Sequence, residues 1–407
     1  MSMSARVEAI ATSPAELAAG PTNVQRIAVM TFAHFVNDTY SGYLPILLPI
    51  LASALGFSLG VAALVVTAST ITSSIIQPAL GHVADRYATR LISVVGVVCS
   101  AFGASLLGVS PSFIVLILLV IVAGMGTAAY HPQASAMVVA AAGRRKATTM
   151  SVFLVGGNLG LAIGPLIIAR VAHWNLHATP FLMIPGMLMA LALYVFAPKD
   201  WAAGQVRARS GPSLVSVLWG HRSVLSLLLG VVILRSWTQQ GFTTFLPFFY
   251  RHQGFAPGHA AGVLAALGIT GAFGGLAGGY LADRLGQRPV IVASLLLAGP
   301  LLVALPHLTG AVLYVDAALS GILLLSSWYV LAVKGQQVLS KNVGVAFGLM
   351  LGFSIGMGGL GVIPMGIIAD RVGILPILTV LGMLAPVAGL LALKVPETAA
   401  EPAGAAA

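Results

Sequence analysis

The stretches GHVADRYATR at residues 81–90 and GYLADRLGQR at residues 279–288 share the pattern G-x-x-A-D-R, about 200 residues apart. Each closes an apolar run with a charge cluster. A 407-residue chain that repeats such a junction at half its length reads as two similar halves. A second echo has the same offset: GGNLGLAIGPLIIAR at 156–170 answers to GMGGLGVIPMGIIAD at 356–370. Chance likeness between glycine-rich apolar helices is the bland alternative. Two echoes at one offset, in segments where charge is this rare, argue against it.

The material between the junctions is apolar. Hydrophobic residues make up 58% of the chain and charged residues 7%, with a mean hydropathy of +1.00. Average soluble domains carry roughly a quarter charged residues. So few charges cannot cover a water-soluble body of this size, and lipid is the expected surroundings. The net charge of +10 is read as Lys and Arg of cytoplasmic loops, not as a nucleic-acid surface. The single Cys99 excludes a disulfide framework and a thiolate metal site. The first 22 residues hold no apolar core ahead of a cleavage site, so the first apolar run is expected to be a retained span.

A crossing helix needs roughly 20 apolar residues. That window gives twelve expected spans, at about 26–52, 60–82, 91–109, 112–140, 147–170, 178–198, 223–250, 258–282, 289–306, 309–333, 343–368 and 374–394. The longest polar interruption holds Lys199, Arg207 and Arg209. The expected organisation is a tail over 1–22, a six-helix bundle over 23–198, a linker over 199–221, a second six-helix bundle over 222–395 and a tail over 396–407. The fold class expected is an all-α membrane protein of twelve helices in two pseudo-symmetric bundles. With the N-terminus inside, nearly all loop Lys and Arg fall on the inner face, and Arg170, Arg251 and Arg371 alone fall outside. Both termini are therefore expected in the cytoplasm.

The junction at 81–90 resembles the loop signature G-x-x-x-D-R-x-G-R-R of the major facilitator superfamily. Ala88 stands at the second glycine, and the basic end is reduced to Arg90; the second copy keeps Gly286 and Arg288. A closer resemblance is to the fosmidomycin-resistance group of bacterial efflux pumps. It is carried by HFVND at 34–38, YHP at 130–132, VGGNLG at 155–160 with Gly164-Pro165, and GFSIGMGGLG at 352–361. That group has Glu after His-Pro and Gln-Glu near the end of span ten. This chain has Gln133 and Gln336-Gln337, so two potential proton sites are neutral here.

The resemblance implies a secondary transporter that rocks its halves around a central site. In it Gly81, Asp85, Arg86 and Arg90, with Gly279, Asp283, Arg284 and Arg288, act as a gating latch. Gly156, Gly157, Gly160, Gly164 and Pro165 resemble the span-five motif of drug antiporters, and close helix packing alone would also explain them.

Ionisable groups inside spans are costly and mark function by default. Asp38 lies mid-span one, one helical turn after His34. A carboxylate in a partly dry cavity can bind and release protons near neutral pH, and His34 can share that proton. Asp38 and His34 are the expected proton-coupling pair, against the alternative of a structural aspartate. Arg235, in span seven, either faces the same cavity as a partner or anion site, or snorkels to the inner surface. Lys334 faces the same choice. His131 lines the cavity or is a buried, hydrogen-bonded residue. Asn37, Tyr40, Tyr43, Gln133, Gln239 and Gln337 complete the candidate substrate-binding set. No spacing resembles a metal site, and no cofactor is expected. No cluster of catalytic groups at a membrane face suggests an enzyme.

The reading is a bacterial inner-membrane, proton-driven exporter of small organic compounds, acting as a monomer. Fosmidomycin-like phosphonates are within its range by resemblance. The alternative is an importer of a small anionic metabolite. Expected partners are substrate, protons and lipid, with no nucleic acid.

Overall fold

The computed structural model describes residues 22–77, 79–80, 90–143, 145–198, 218–339 and 348–397. The described chain is helical throughout. The first half holds α1 (Val24–Ser41), α2 (Leu44–Leu55), α3 (Leu59–Thr70), α4 (Leu91–Leu106), α5 (Phe113–Ala141), α6 (Lys146–Trp174) and α7 (Met183–Phe196). The second holds α8 (Arg222–His252), α9 (Pro257–Leu285), α10 (Gln287–Ala304), α11 (Gly310–Val338), α12 (Ser354–Val372) and α13 (Ile374–Ala392).

Nine of the described helices are long and apolar enough to cross a membrane. Three more crossings complete twelve. They are α1 with α2, α3 with the π turn Ile71–Ile75 that continues it, and α8, whose polar run Arg235 to Gln240 lowers its hydropathy. Starts are set by local chemistry: the side chains of Asn23, Ser58 and Ser112 accept the backbone N–H of Arg26, Val61 and Val115. Each satisfies a donor that a helix start leaves open. Large apolar side chains such as Ile114, Leu188, Phe273 and Val312 point outward, as a lipid-facing surface requires.

Span one departs from the expected single run over 26–52. It breaks after Ser41 and restarts at Leu44. Pro45, at the start of α2, has no N–H for the Ser41 carbonyl, and its ring crowds that carbonyl. Gly42 occupies the break, and a Cβ there would lie 2.7 Å from Pro165 Cδ. Span eleven also differs: its first described residues form a π segment over Gly348–Phe353, and it runs on to Val372, past the expected end at 368.

The halves meet along two main seams, α3 on α12 and α6 on α9, with α2 on α8 as a smaller third. Their π segments, Ile71–Ile75 and Gly348–Phe353, also touch. π turns concentrate at functional sites. Gly81, Asp85 and Arg86 lie outside the described residues, as does most of the expected linker.

Candidate functional site

The site is built on the seam between α1 and α6. A Cβ at Gly156 would strike Thr31; one at Gly160 would strike the Phe35 carbonyl, and one at Gly164 the Thr39 carbonyl. Bare glycines let the two backbones touch, which lipid-embedded helices use in place of a hydrophobic drive. Gly157 faces the ionisable pair: a Cβ there would overlap the His34 ring and lie 2.8 Å from Asp38 Oδ2.

His34 Nδ1 is 2.8 Å from the Phe153 carbonyl, and the ring stacks on Phe153 at 4.1 Å. A carbonyl only accepts, so Nδ1 carries a hydrogen. Nε2 then faces Asp38 Oδ2 at 3.1 Å. In a neutral ring fixed this way, Nε2 is a lone pair, and a lone pair against a carboxylate repels. The contact therefore holds a proton between the two groups. His131 Nε2 approaches the other oxygen, Oδ1, at 3.3 Å, and Asn37 Nδ2 donates to the same atom at 3.1 Å.

The His34 side chain is 4% exposed, against 16% for Asp38 and 25% for His131, so the cluster is sealed on one side and open on the other. The donor atoms of His34, Asp38 and His131 lie within 4.8 Å of one another. Two imidazoles and a carboxylate are also a donor set for a divalent metal ion. Chain spacing gives no hint of it, because His131 arrives from α5. Gln133 is fully buried nearby in sequence, and neither end of its amide finds a partner among the described residues.

Tyr40 and Tyr43 turn into the first half rather than toward open space. Tyr40 Oη donates to the Leu182 carbonyl and accepts from Gly186 N, both at 2.8 Å, which ties α1 to α7. Tyr43 is buried edge-on against it, with ring centroids 5.4 Å apart.

Arg235 is 1% exposed and does not snorkel. Its Nε donates to the Leu324 carbonyl and to Ser327 Oγ at 3.1 Å, and its Nη2 donates to Gln239 Oε1 at 2.9 Å. The guanidinium also lies 4.4 Å from the Trp328 ring centroid. Among the described residues no carboxylate pairs with it, Asp38 included. Lys334 is likewise buried, at 2% exposure, so its amine does not reach the surface as snorkelling requires. Gln337, one residue from the end of α11, is exposed.

Two contacts between the halves have no clear sign in the sequence. Asn158 Nδ2 donates to Tyr329 Oη at 2.8 Å, from α6 to α11. Asn158 adjoins Gly157, and Tyr329 adjoins Trp328, so this bond joins the His34–Asp38 neighbourhood to that of Arg235. Asp370, at the end of α12, accepts from Leu59 N at 2.8 Å and Gly60 N at 2.9 Å. These are the first N–H groups of α3, where the helix dipole favours an anion. This clasp joins the end of α12 to the start of α3, across the two halves.

Of the expected latch, Arg90 Nη1 donates to the Ala197 carbonyl at 3.1 Å and lies 4.9 Å from the Tyr194 ring, both within the first half. In the second copy, Arg284 lies over Tyr280 at 4.4 Å. Gly286 turns the chain with φ of 90°, ahead of Arg288, while Asp283 is exposed. Gly279 has open space where a Cβ would stand.

A profile of the Major Facilitator Superfamily matches residues 30–350. The chain is 28% identical to the uncharacterised MFS-type transporter YfnC of Bacillus subtilis, over 93% of this chain and 94% of that one. It is 26% identical to the fosmidomycin resistance protein of Escherichia coli, over 98% and 99%. In fold it is similar to a crystal structure of a point mutant of the nucleoside transporter NupG, with a TM-score of 0.78 at 15% identity, covering 91% of this chain and 99% of that one. It is also similar to a bacterial homologue of the human lysosomal transporter Spinster in an inward-facing, unoccupied conformation. There the TM-score is 0.75 at 17% identity, covering 93% and 100%.

Proposed function

The chain belongs to the Major Facilitator Superfamily, and on that premise we propose that it is a proton-driven exporter of small organic compounds. As a member of that family it is a multi-pass secondary transporter, not an enzyme. The observation that carries the proposal is the acceptor-to-acceptor contact of His34 and Asp38, which needs a proton to exist.

Release of that proton leaves a lone pair facing a carboxylate at 3.1 Å. The ring cannot turn away freely, because Phe153 holds its other nitrogen and Gly157 lies against it. Both groups ride on α1, so relief comes when α1 slides along α6, breaks the bond to the Phe153 carbonyl and frees the ring to turn. Motion of α6 reaches the second half through Asn158 and Tyr329. Proton loss is thereby tied to rocking of the halves, which is how alternating access works in folds of this kind.

The positive-inside distribution supports placing both termini in the cytoplasm of a bacterium and the Asp370 clasp outside. With the outer end clasped, the proton at Asp38 is due to leave inward, and a substrate takes its turn at the opened site. Outside protons reload Asp38 and expel it. The contact of the two halves along α3–α12 and α6–α9 supports a monomer.

The relative named for fosmidomycin resistance supports a phosphonate as first candidate cargo. The test is expression in a pump-deficient bacterium with fosmidomycin among the compounds screened. Raised tolerance that disappears with Asp38→Asn is expected. Tolerance unaffected by the substitution overturns the proton reading. A second reading, uptake of a small anion, rests on Arg235, a buried cation with no carboxylate partner among the described residues. The direction of flux in vesicles separates the two.

A further inference from the structure

Asp316 sits in α11, six residues after its start at Gly310. That is about 9 Å along the helix axis. Sequence position alone puts it near the outer surface, within reach of water. The structure buries it to 6% exposure. Its Oδ2 is sealed and has no hydrogen-bond partner among the described residues. Two hydroxyls share that condition: Ser320 one turn further along α11, and Tyr250 on α8. Ser320 follows Asp316 on the same helix face. The Tyr250 phenol lies within electrostatic reach of Asp316.

An ionised carboxylate buried without a partner costs several kcal/mol and neutralises instead. The other charged and titratable groups at this end supply no ion pair: Arg251 on α8 is exposed, His259 on α9 stacks on Phe255, His307 follows α10 and is exposed, and Tyr314 on α11 faces His259. A shallow crevice lies between Ile46, Pro49 and Ile50 of α2 and Pro247, Tyr250 and Phe255 of the second half. Tyr250 borders both the crevice and the neighbourhood of Asp316.

We propose that Asp316 is a second proton-binding site, in the second half, loaded from the outer crevice past Tyr250. From it the buried polar face of α11 continues through Ser320 to Ser327, which holds Arg235. Asp38 in the first half then has a counterpart in the second, Asp316. The role of Asp316 in transport rests on the proton-driven reading; its protonation does not.

Infrared spectroscopy of the full-length protein in liposomes tests this without a substrate. At neutral pH the wild type is expected to show a protonated-carboxyl C=O band that shifts in heavy water. Asp316→Asn removes a component of that band that Asp38→Asn retains, and Asp316→Glu restores it at a displaced frequency. A neutral-pH band unchanged by Asp316→Asn, or no band in the wild type, overturns the proposal. If that component follows Asp316 while gradient-driven transport is indifferent to Asp38→Asn, the second site stands and the Asp38 reading falls. The reverse pattern sinks this site alone.

Discussion

His34 Nε2 lies 3.1 Å from Asp38 Oδ2 while Nδ1 of the same ring is bound to the Phe153 carbonyl. The contact is stable in one protonation state and repulsive in the next. Such a pair converts proton movement into displacement of the helix that carries it, provided its surroundings are rigid. The glycine seam with α6 supplies that rigidity.

Gly157→Ala tests the seam. The added methyl would overlap the His34 ring and crowd Asp38. Overpacking of this kind costs about 1–3 kcal/mol. A lowered melting temperature is expected together with loss of proton-driven transport. Alanine at Gly258, where nothing lies within 4 Å, is the control and leaves both unchanged.

Asp370→Asn tests the outer clasp. One oxygen that accepted an N–H of α3 becomes an NH₂ group, and the charge at the helix start is lost. For an exposed anion at a helix N-terminus the loss is about 1 kcal/mol, roughly a fivefold shift toward the outward-open form. A cysteine at Ser58, in a Cys99→Ser background, should react faster with an impermeant thiol reagent. An unchanged rate removes the clasp from the gating account.

Tyr329→Phe deletes the acceptor of Asn158 and little else. The bond contributes about 1 kcal/mol. Substrate exchange without a gradient should continue, while the yield of transport per proton falls. Equal loss of both would mean that Tyr329 serves folding and not communication between the halves.

Arg235→Lys keeps the charge and discards the fork. Lysine cannot reproduce the paired contacts with Leu324, Ser327 and Gln239 while covering Trp328. Thermal stability should fall by about 1–3 kcal/mol. If the cargo is anionic, its apparent affinity falls more than its maximal rate. A variant that melts and transports like the wild type would mean that the fork is dispensable.

The two halves and most crossings were legible because hydropathy and the placement of Arg and Lys report directly on lipid and water. The break in span one was not, since its cause lies in Pro45 and in Gly42 meeting Pro165 on another helix. The His34–Asp38 pair was readable as one turn of one helix. His131 as its third member was not fixed, because nothing in chain order aims α5 at α1. Arg235 stood out by rarity, yet its burial against α11 depends on Ser327 and Trp328, which carry no sign of that role. Asp370 was hidden in the same way, as its partners are backbone N–H groups of the other half.

The most direct test of the central claim is transport in proteoliposomes under an imposed pH gradient, with the compound returned by the susceptibility screen. The wild type and Asp38→Asn are compared, each with and without a metal chelator. The account predicts that the wild type concentrates the compound against its gradient, with or without chelator, and that Asp38→Asn retains at most downhill exchange. Undiminished gradient-driven transport by Asp38→Asn would contradict it, and loss of wild-type transport on chelation alone would assign the His34–Asp38–His131 cluster to a metal ion instead of a proton.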